Sequence, residues 1–311
     1  MSLADLEFKI LDLEHELEVL KRDEKNHPNQ IKDIQLQLSR LKKEAYEDLS
    51  AYDRVYLARK ASRAHIKDYI RFLFEDFIEL HGDRLYKDDH SMLGGLALLK
   101  GIPVTVIGHV KGENLEENLD CNFGMSSPEG YRKALRLMKQ AEKFNRPIIT
   151  FVDTPGAYPG LKAEKHGIGE AIARNLMEMA SLEVPVLTVI MGEGGSGGAL
   201  ALSVADRIIM LENSVYSVLS PEGFASILWK DKEGKRVKEA AELMKMTADD
   251  LYQLKVIDKV ISEPVGGVNS ENISVLYDLK NYLYKSLIEL SKESKKSLVQ
   301  KRYHKYRQIG N

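Results

Sequence analysis

Two glycine-rich segments hold the residues with the clearest chemical potential. The first glycine segment, residues 153–160, reads Asp-Thr-Pro-Gly-Ala-Tyr-Pro-Gly and follows the apolar residues 147–152. The second glycine segment, residues 192–198, reads Gly-Glu-Gly-Gly-Ser-Gly-Gly and follows the apolar residues 184–191. Glycine lets backbone N–H groups face a ligand, and the first N–H groups of a following helix have no partner within it. Each segment therefore predicts a site for an anion, or for negative charge that develops during a reaction.

In the second glycine segment, the neighbouring N–H groups of Gly194 and Gly195 are the predicted donors to an oxyanion. Residues 192–197 also match the dinucleotide-binding pattern G-x-G-x-x-G, but the helix predicted after them is short for that fold. Residues 194–198 match the nucleophile pattern G-x-S-x-G around Ser196, but the only later histidine lies in the C-terminal tail. An oxyanion hole is the favoured interpretation, and close packing of helix and sheet stays an alternative.

Both glycine segments supply predicted substrate contacts. These residues are Gly156, Ala157, Tyr158, Ser196 and Gly197. The side chain of Tyr158 either belongs to the core or forms a wall of the pocket. The carboxylate of Asp153 is expected to cap the turn that follows it, and the hydroxyl of Ser196 to cap the next helix.

The elements around these segments predict an α/β fold. From residue 148 onward, a strand over 148–152 is followed by a helix over 167–181 and a strand over 186–190. A short helix over 197–205 and a strand over 207–211 come next. Strands that alternate with helices favour parallel pairing in one sheet.

Upstream, a different pattern precedes the sheet. Apolar residues recur at spacings of three and four over residues 3–20 and again over 31–41, which predicts an antiparallel helical hairpin. We predict two domains, a hairpin with its connector over residues 1–62 and a catalytic domain over 63–311. A third helix is predicted over residues 64–80.

Composition limits the function classes. The chain has 311 residues, a formal net charge of −2 and a single cysteine, Cys121. A disulfide framework and a cysteine-based zinc site are therefore excluded within this chain, and no metal is expected. No apolar stretch is long enough to span a bilayer, so we expect a soluble cytoplasmic protein. The tail over residues 301–307 is basic with interleaved aromatics. We expect it to be exposed to solvent or to pair with an acidic neighbour, and we favour this over binding of nucleic acid.

Several longer strings resemble a known family. They are residues 80–84, 122–125, 128–135, 153–160, 170–176, 192–200 and 216–223. From Leu80 onward the chain is similar to the alpha subunits of bacterial acetyl-CoA carboxylase carboxyltransferase, and the hairpin before it also fits that family. The match is looser over the last forty residues, which leaves the role of the tail open.

The resemblance implies a crotonase-like spiral of ββα repeats behind the N-terminal helical hairpin. It implies an α2β2 assembly with a beta subunit that carries a four-cysteine zinc ribbon. Because this chain has one cysteine, it resembles the alpha subunit and cannot be the beta subunit. The implied reaction moves a carboxyl group from carboxybiotin, borne by the biotin carboxyl carrier protein, to acetyl-CoA, giving malonyl-CoA for fatty-acid synthesis. In this family Gly194 and Gly195 would receive the biotin oxyanion, and biotin would serve as its own base.

One alternative from another class stays open. A free-standing crotonase-type acyl-CoA hydratase or isomerase would use similar glycine segments without a partner. It would need a glutamate aimed into the pocket, and Glu193 is the nearest candidate. The side chain of Glu193 could instead only favour the dipole of the helix that follows.

Overall fold

Two units make up the chain, Met1–Asp53 and Arg54–Asn311. The computed structural model describes residues 2–22 and 27–310. Residues 54–62, which the sequence analysis grouped with the hairpin, belong to the second of these units.

The first unit is a helical hairpin, as predicted. Helix α1 spans Leu3–Lys21 and helix α2 spans Pro28–Tyr46. The Tyr46 hydroxyl donates to a Glu7 carboxylate oxygen at 2.5 Å, and Lys42 pairs with Glu14 at 2.7 Å. Contacts between the start of one helix and the end of the other require the two helices to run antiparallel.

A mixed sheet dominates the second unit. Its strands are β1 (Glu75–Glu79), β2 (Met92–Leu99), β3 (Ile102–His109), β4 (Ile148–Thr154), β5 (Val186–Gly195), β6 (Arg207–Leu211), β7 (Val215–Ser217) and β8 (Lys259–Ile261). The order across the sheet is β1-β2-β3-β4-β5-β6-β8, and β7 pairs with the end of β5. Strands β1 to β3 pair antiparallel, whereas β3 to β8 pair parallel. The β2–β3 turn has positive φ at Lys100 (49°) and Gly101 (79°), as tight hairpins favour.

Helices cover both faces of this sheet. After the hairpin the helices are α3 (Ala51–Ala58), α4 (Ile66–Leu73), α5 (Leu115–Asp120), α6 (Pro128–Lys143), α7 (Leu161–Lys165), α8 (Ile168–Ser181), α9 (Ser196–Leu200), α10 (Pro221–Trp229), α11 (Val237–Leu243), α12 (Ala248–Gln253), α13 (Tyr277–Leu290) and α14 (Lys295–Gln308). Ile148 and Ile190 face the core under α6 and α8, whereas Phe151 and Val189 face the core under α4 and α13. Alternate strand residues therefore fill two cores, which explains why β4 and β5 read as continuous apolar runs.

The helix predicted over residues 64–80 is wrong in its second half. Helix α4 ends at Leu73, and Phe74 adopts an extended conformation with φ −120° and ψ 161°. Residues Glu75–Glu79 form β1, in which Ile78 pairs with Leu96 of β2. The pairing with β2 outweighs the helical spacing of the apolar residues, because tertiary contacts override local preference.

Among the residues described, no helix combines the length and the apolar character that crossing a bilayer requires.

Candidate active site

The two glycine segments meet at one edge of the sheet. Strands β4 and β5 are parallel neighbours, so their carboxyl ends lie side by side, with Thr154 paired to Gly194. The structure thus brings together the segments that the sequence singled out. In open α/β sheets, ligands bind beside the carboxyl ends of the strands.

Glycine is required where the segments touch. A Cβ added to Gly195 would lie 2.1 Å from the Pro155 carbonyl oxygen, and one added to Gly198 would lie 2.7 Å from the Ala157 nitrogen. Real Cβ atoms do not approach backbone this closely, so both glycines permit the two chains to pack directly against each other. Gly156 is buried in the same contact, at 2.7 Å from a Cβ on Gly198.

The second glycine segment begins as a strand. Residues 192–195 continue β5, and Gly194 and Gly195 pair with Tyr216 and Ser217 of β7. The Glu193 N–H donates to Asp153 Oδ1 at 3.0 Å, toward the β4 side. Because successive strand residues direct their N–H groups to opposite neighbours, Gly194 N–H faces β7 and Gly195 N–H faces β4.

This direction argues against Gly194 and Gly195 as free oxyanion donors. Both residues are buried within the paired part of the sheet. The first N–H groups past the sheet belong to α9, which starts at Ser196 with a left-handed φ of 51°. The N–H groups of Gly197 and Gly198 lie in the first turn of α9, where a helix offers no internal acceptor. Ser196 is the first residue of α9 and not its cap, so the predicted capping role is wrong.

A cavity of about 270 Å³ opens beside the start of α9. Its lining includes Ser196, Gly197, Leu200, Tyr216, Ser217, Val218, Leu251 and Val256. Most of these side chains are apolar, so the cavity suits an uncharged and largely apolar group. Two of the five predicted substrate contacts, Ser196 and Gly197, belong to this lining.

The remaining predicted contacts lie in the first glycine segment. Ala157 packs toward Gly198 and, like Tyr158, contacts the core on the α6 face of the sheet. The Tyr158 N–H donates to the Ser126 carbonyl at 3.0 Å, and its ring covers Gly160 of its own segment. Of the two alternatives for Tyr158, the structure supports the core.

Asp153 anchors the ends of both strands. Its carboxylate accepts the Glu193 N–H and pairs with Lys111 at 2.6 Å, so the predicted turn-capping role is wrong. Burial opposes the charge, but Lys111 and this N–H together keep the pKa of Asp153 below its ordinary value. The fully buried His109 ends the neighbouring strand β3. Burial lowers the pKa of His109 to about 4, against a smaller opposing effect of the Asp153 charge.

Glu193 is paired and not free. Arg59 donates to one Glu193 oxygen from Nε at 2.9 Å and from Nη2 at 2.7 Å, and it also donates to Glu222 at 3.0 Å. Burial would lower the pKa of Arg59, but the Glu193 and Glu222 carboxylates raise it above its ordinary value. No sequence motif marks Arg59, so the sequence alone does not predict its part in the site. A carboxylate held by a guanidinium is a poor general base.

No group of three or more His, Cys, Asp or Glu side chains in residues 2–22 and 27–310 could hold a metal ion. What the site offers is a set of backbone donors at a helix start, an apolar cavity beside them, and buried charges that are already paired. Such an arrangement can stabilise a developing anion.

Comparisons with known proteins identify the family. The family described as acetyl co-enzyme A carboxylase carboxyltransferase-like matches residues 3–310. The chain is 50% identical over 312 residues to the acetyl-coenzyme A carboxylase carboxyl transferase subunit alpha of Staphylococcus haemolyticus, covering 99% of this chain and 98% of that protein. It is 52% identical over 314 residues to the corresponding subunit of Bacillus cereus, covering 99% and 96%. The chain belongs to this carboxyltransferase family.

Solved structures support the fold that the family implies. The transcarboxylase 12S hexamer with methylmalonyl-coenzyme A bound superposes with a TM-score of 0.61 at 18% identity, over 77% of this chain and 45% of that chain. A Pseudomonas malonate decarboxylase hetero-tetramer gives a TM-score of 0.56 at 18% identity, over 68% and 84%. The predicted crotonase-like α/β fold is confirmed, and membership of the family favours a carboxyltransferase over a free-standing hydratase or isomerase.

Proposed function

We propose that this chain is the alpha subunit of an acetyl-CoA carboxylase carboxyltransferase. It transfers the carboxyl group of carboxybiotin to the methyl carbon of acetyl-CoA and so makes malonyl-CoA for fatty-acid synthesis. Sequence identities of 50% and 52% to alpha subunits from two bacterial genera, over nearly the full chain, support this proposal. The observation that carries the mechanism is the start of α9, where the Gly197 backbone meets an apolar cavity.

The reaction creates two negative charges in turn. Cleavage of the N–C bond of carboxybiotin releases CO2 and leaves the bonding electrons on the biotin ureido group, mainly on its oxygen. The methyl group of acetyl-CoA then gives a proton to the ureido nitrogen, and its C–H electron pair forms the new C–C bond to CO2. Both steps gain most from fixed donors aimed at the oxygen that becomes negative.

In this proposal the N–H groups of Gly197 and Gly198 donate hydrogen bonds to the ureido oxygen. Gly194 and Gly195, the donors expected from the sequence, instead let β5 pack between β4 and β7. The bicyclic ring of biotin would lie against Leu200, an apolar residue of the cavity lining. Its ureido edge would then face the first turn of α9, where the helix dipole also favours negative charge.

The proton acceptor in this proposal is biotin itself. Glu193, the nearest carboxylate along the chain, is held by Arg59, and Asp153 is held by Lys111. Neither carboxylate is available without breaking an ion pair that is largely shielded from water. The chain therefore contributes donors and a cavity, and the substrate contributes the base.

The proposal includes partners. A beta subunit with a zinc ribbon would complete the site in an α2β2 assembly and would supply the donors for the enolate of acetyl-CoA. Carboxybiotin would arrive as a substrate on the biotin carboxyl carrier protein, in the cytoplasm. The hairpin would be a separate domain, and the second unit, which starts at Arg54, would be the carboxyltransferase domain.

Two variants of Gly197 test the donor assignment. A Cβ added to Gly197 meets nothing nearer than Ile172 Cγ2 at 3.5 Å, so Gly197→Ala keeps both the fold and the N–H donor. Gly197→Pro removes the donor at a helical position that tolerates proline, because the N–H there has no partner in the helix. We expect Gly197→Pro to lower kcat by about 10²–10³-fold relative to Gly197→Ala.

The assay follows transfer of the carboxyl group from malonyl-CoA to free biotin by the complex with the beta subunit. Circular dichroism and size-exclusion chromatography establish that both variants fold and assemble. Equal rates for the proline and alanine variants in assembled complexes would refute the donor assignment. Absence of transfer by the wild-type complex would refute the proposed function itself.

A further inference from the structure

The C-terminal helix is anchored next to the candidate site. The sequence marked residues 301–307 as a basic tail, but in the structure they belong to α14. The side chain of Arg302 is fully buried, and it donates to both carboxylate oxygens of Asp206 at 2.9 and 2.8 Å. It also donates to the carbonyls of Met179, Leu182 and Val184. Arg302 therefore fixes α14 both to the end of α8 with the loop after it and to Asp206, which follows α9.

Tyr306 continues this anchor toward α9. Its hydroxyl donates to the Ser203 carbonyl at 2.8 Å and accepts the Ala205 N–H at 2.7 Å. A tyrosine hydroxyl is protonated at neutral pH, and burial raises the pKa of Tyr306 further, so the hydroxyl keeps both roles. One hydroxyl thus satisfies two backbone groups in the turn that links α9 to β6.

Ser203 connects Tyr306 to the cavity through hydrogen bonds. Its hydroxyl donates to the Ala199 carbonyl in α9 at 3.0 Å and lies 2.8 Å from the Tyr216 hydroxyl. Since the serine proton goes to the carbonyl, the Tyr216 hydroxyl donates to the Ser203 oxygen. The Tyr216 ring lines the cavity, and a Cβ on Gly194 would lie 2.9 Å from it.

We propose that Tyr306 is a positioning residue for carboxyl transfer, an inference that rests on the function proposed above. It holds the far end of α9 through Ser203, and Tyr216 extends this support to the cavity wall. Helix α9 has only five residues, so its last turn lies within about 8 Å of its first. Fixing the end of α9 therefore also fixes the direction of the Gly197 N–H at its start.

Tyr306→Phe tests the inference, with Tyr303→Phe as the matched control. Tyr303 lies on the same helix but is 61% exposed, so its hydroxyl has no role in this contact. The assay measures transfer from malonyl-CoA to free biotin by the complex with the beta subunit. We expect Tyr306→Phe to lower kcat about tenfold, because small misplacement of reacting groups is costly in rate. We also expect Tyr306→Phe to raise the KM for biotin and to leave the KM for malonyl-CoA unchanged. The kinetic constants of Tyr303→Phe should stay at their wild-type values.

A double variant separates positioning from general stability. Tyr216→Phe and Tyr306→Phe both act through Ser203, so their combined effect on kcat should be smaller than the product of the single effects. Wild-type kinetics for Tyr306→Phe, strictly multiplicative effects, or an equal rise in both KM values would overturn the inference while leaving the proposed function intact. If the wild-type complex transfers nothing, the proposed function fails and this inference with it.

Discussion

His109 makes the stability of the fold depend on pH in a way that can be calculated. The ordinary pKa of histidine is 6.5, and burial lowers that of His109 to about 4. As the pH falls through 6.5 the unfolded chain binds a proton at this residue, whereas the folded chain does not until about pH 4. Protonation therefore favours the unfolded state, and the free energy of unfolding decreases as the pH falls between these two values.

The two pKa values set the size of this effect. Between pH 7.5 and pH 5.0, protonation of His109 in the unfolded chain lowers the free energy of unfolding by about 2 kcal/mol. Below pH 4 the total loss from this residue approaches about 3 kcal/mol. His109→Gln has no ionisable group at this position, so its stability should lack this part of the pH dependence. Carboxylates such as Asp153 also titrate in acid, but they do so in both proteins and largely cancel in the difference.

The assay is urea unfolding of the full chain at pH 7.5 and 5.0, for wild type and for His109→Gln. We expect the loss of stability between the two pH values to be about 2 kcal/mol smaller in the variant, whatever its absolute stability. His304→Gln serves as the control, because the His304 side chain is exposed on α14. Equal pH dependence for wild type and His109→Gln would show that His109 is not held neutral, and would refute the argument from burial.

Two further predictions concern the ion pairs. Glu193→Gln keeps an acceptor for Arg59 and should lower kcat less than about tenfold, whereas a loss near 10⁴-fold in the transfer assay would mark Glu193 as a general base after all. Arg302→Met leaves Asp206 buried without its cation and should lower the free energy of unfolding in urea at pH 7.5 by about 3–5 kcal/mol. Adding Asp206→Asn should restore part of that loss, and a single-variant effect below about 1 kcal/mol would contradict the role of Arg302 as the anchor of α14.

The spacing of apolar residues predicted an element correctly where one pattern extended over the whole element. Strand β4 and helix α8 begin within a residue of their predicted starts, since apolar runs and periodic stripes record which faces are covered. The pattern failed over residues 64–80, where the same apolar residues satisfy a helix up to Leu73 and a strand after it. Only the presence of β2 as a pairing partner decides between them.

Charged residues were harder to place from the sequence. Arg59 and Glu193 are separated by 134 positions in the chain, and nothing local to either one predicts their contact. Arg302 looked like part of a solvated tail because its neighbours are basic, yet it is among the most buried side chains of the protein. A buried arginine is accommodated only where several acceptors converge, and the carbonyls that accept from Arg302 belong to the end of α8 and the loop after it, more than a hundred residues earlier.

The glycines of the second segment show most clearly why a backbone site resists prediction. Composition alone marks residues 192–198 as a place where N–H groups can face a ligand, but it does not say which of them do. That depends on where β5 ends. Strand β5 reaches Gly195 because its last three residues, 193–195, pair with Val215–Ser217 of β7. Since successive residues of a strand point to opposite sides, this pairing commits the N–H groups of Gly194 and Gly195 to β7 and β4. The donors free to meet an anion are then the first ones beyond the sheet, and a substitution at Gly197 tests the assignment where one at Gly195 would chiefly disturb packing against Pro155.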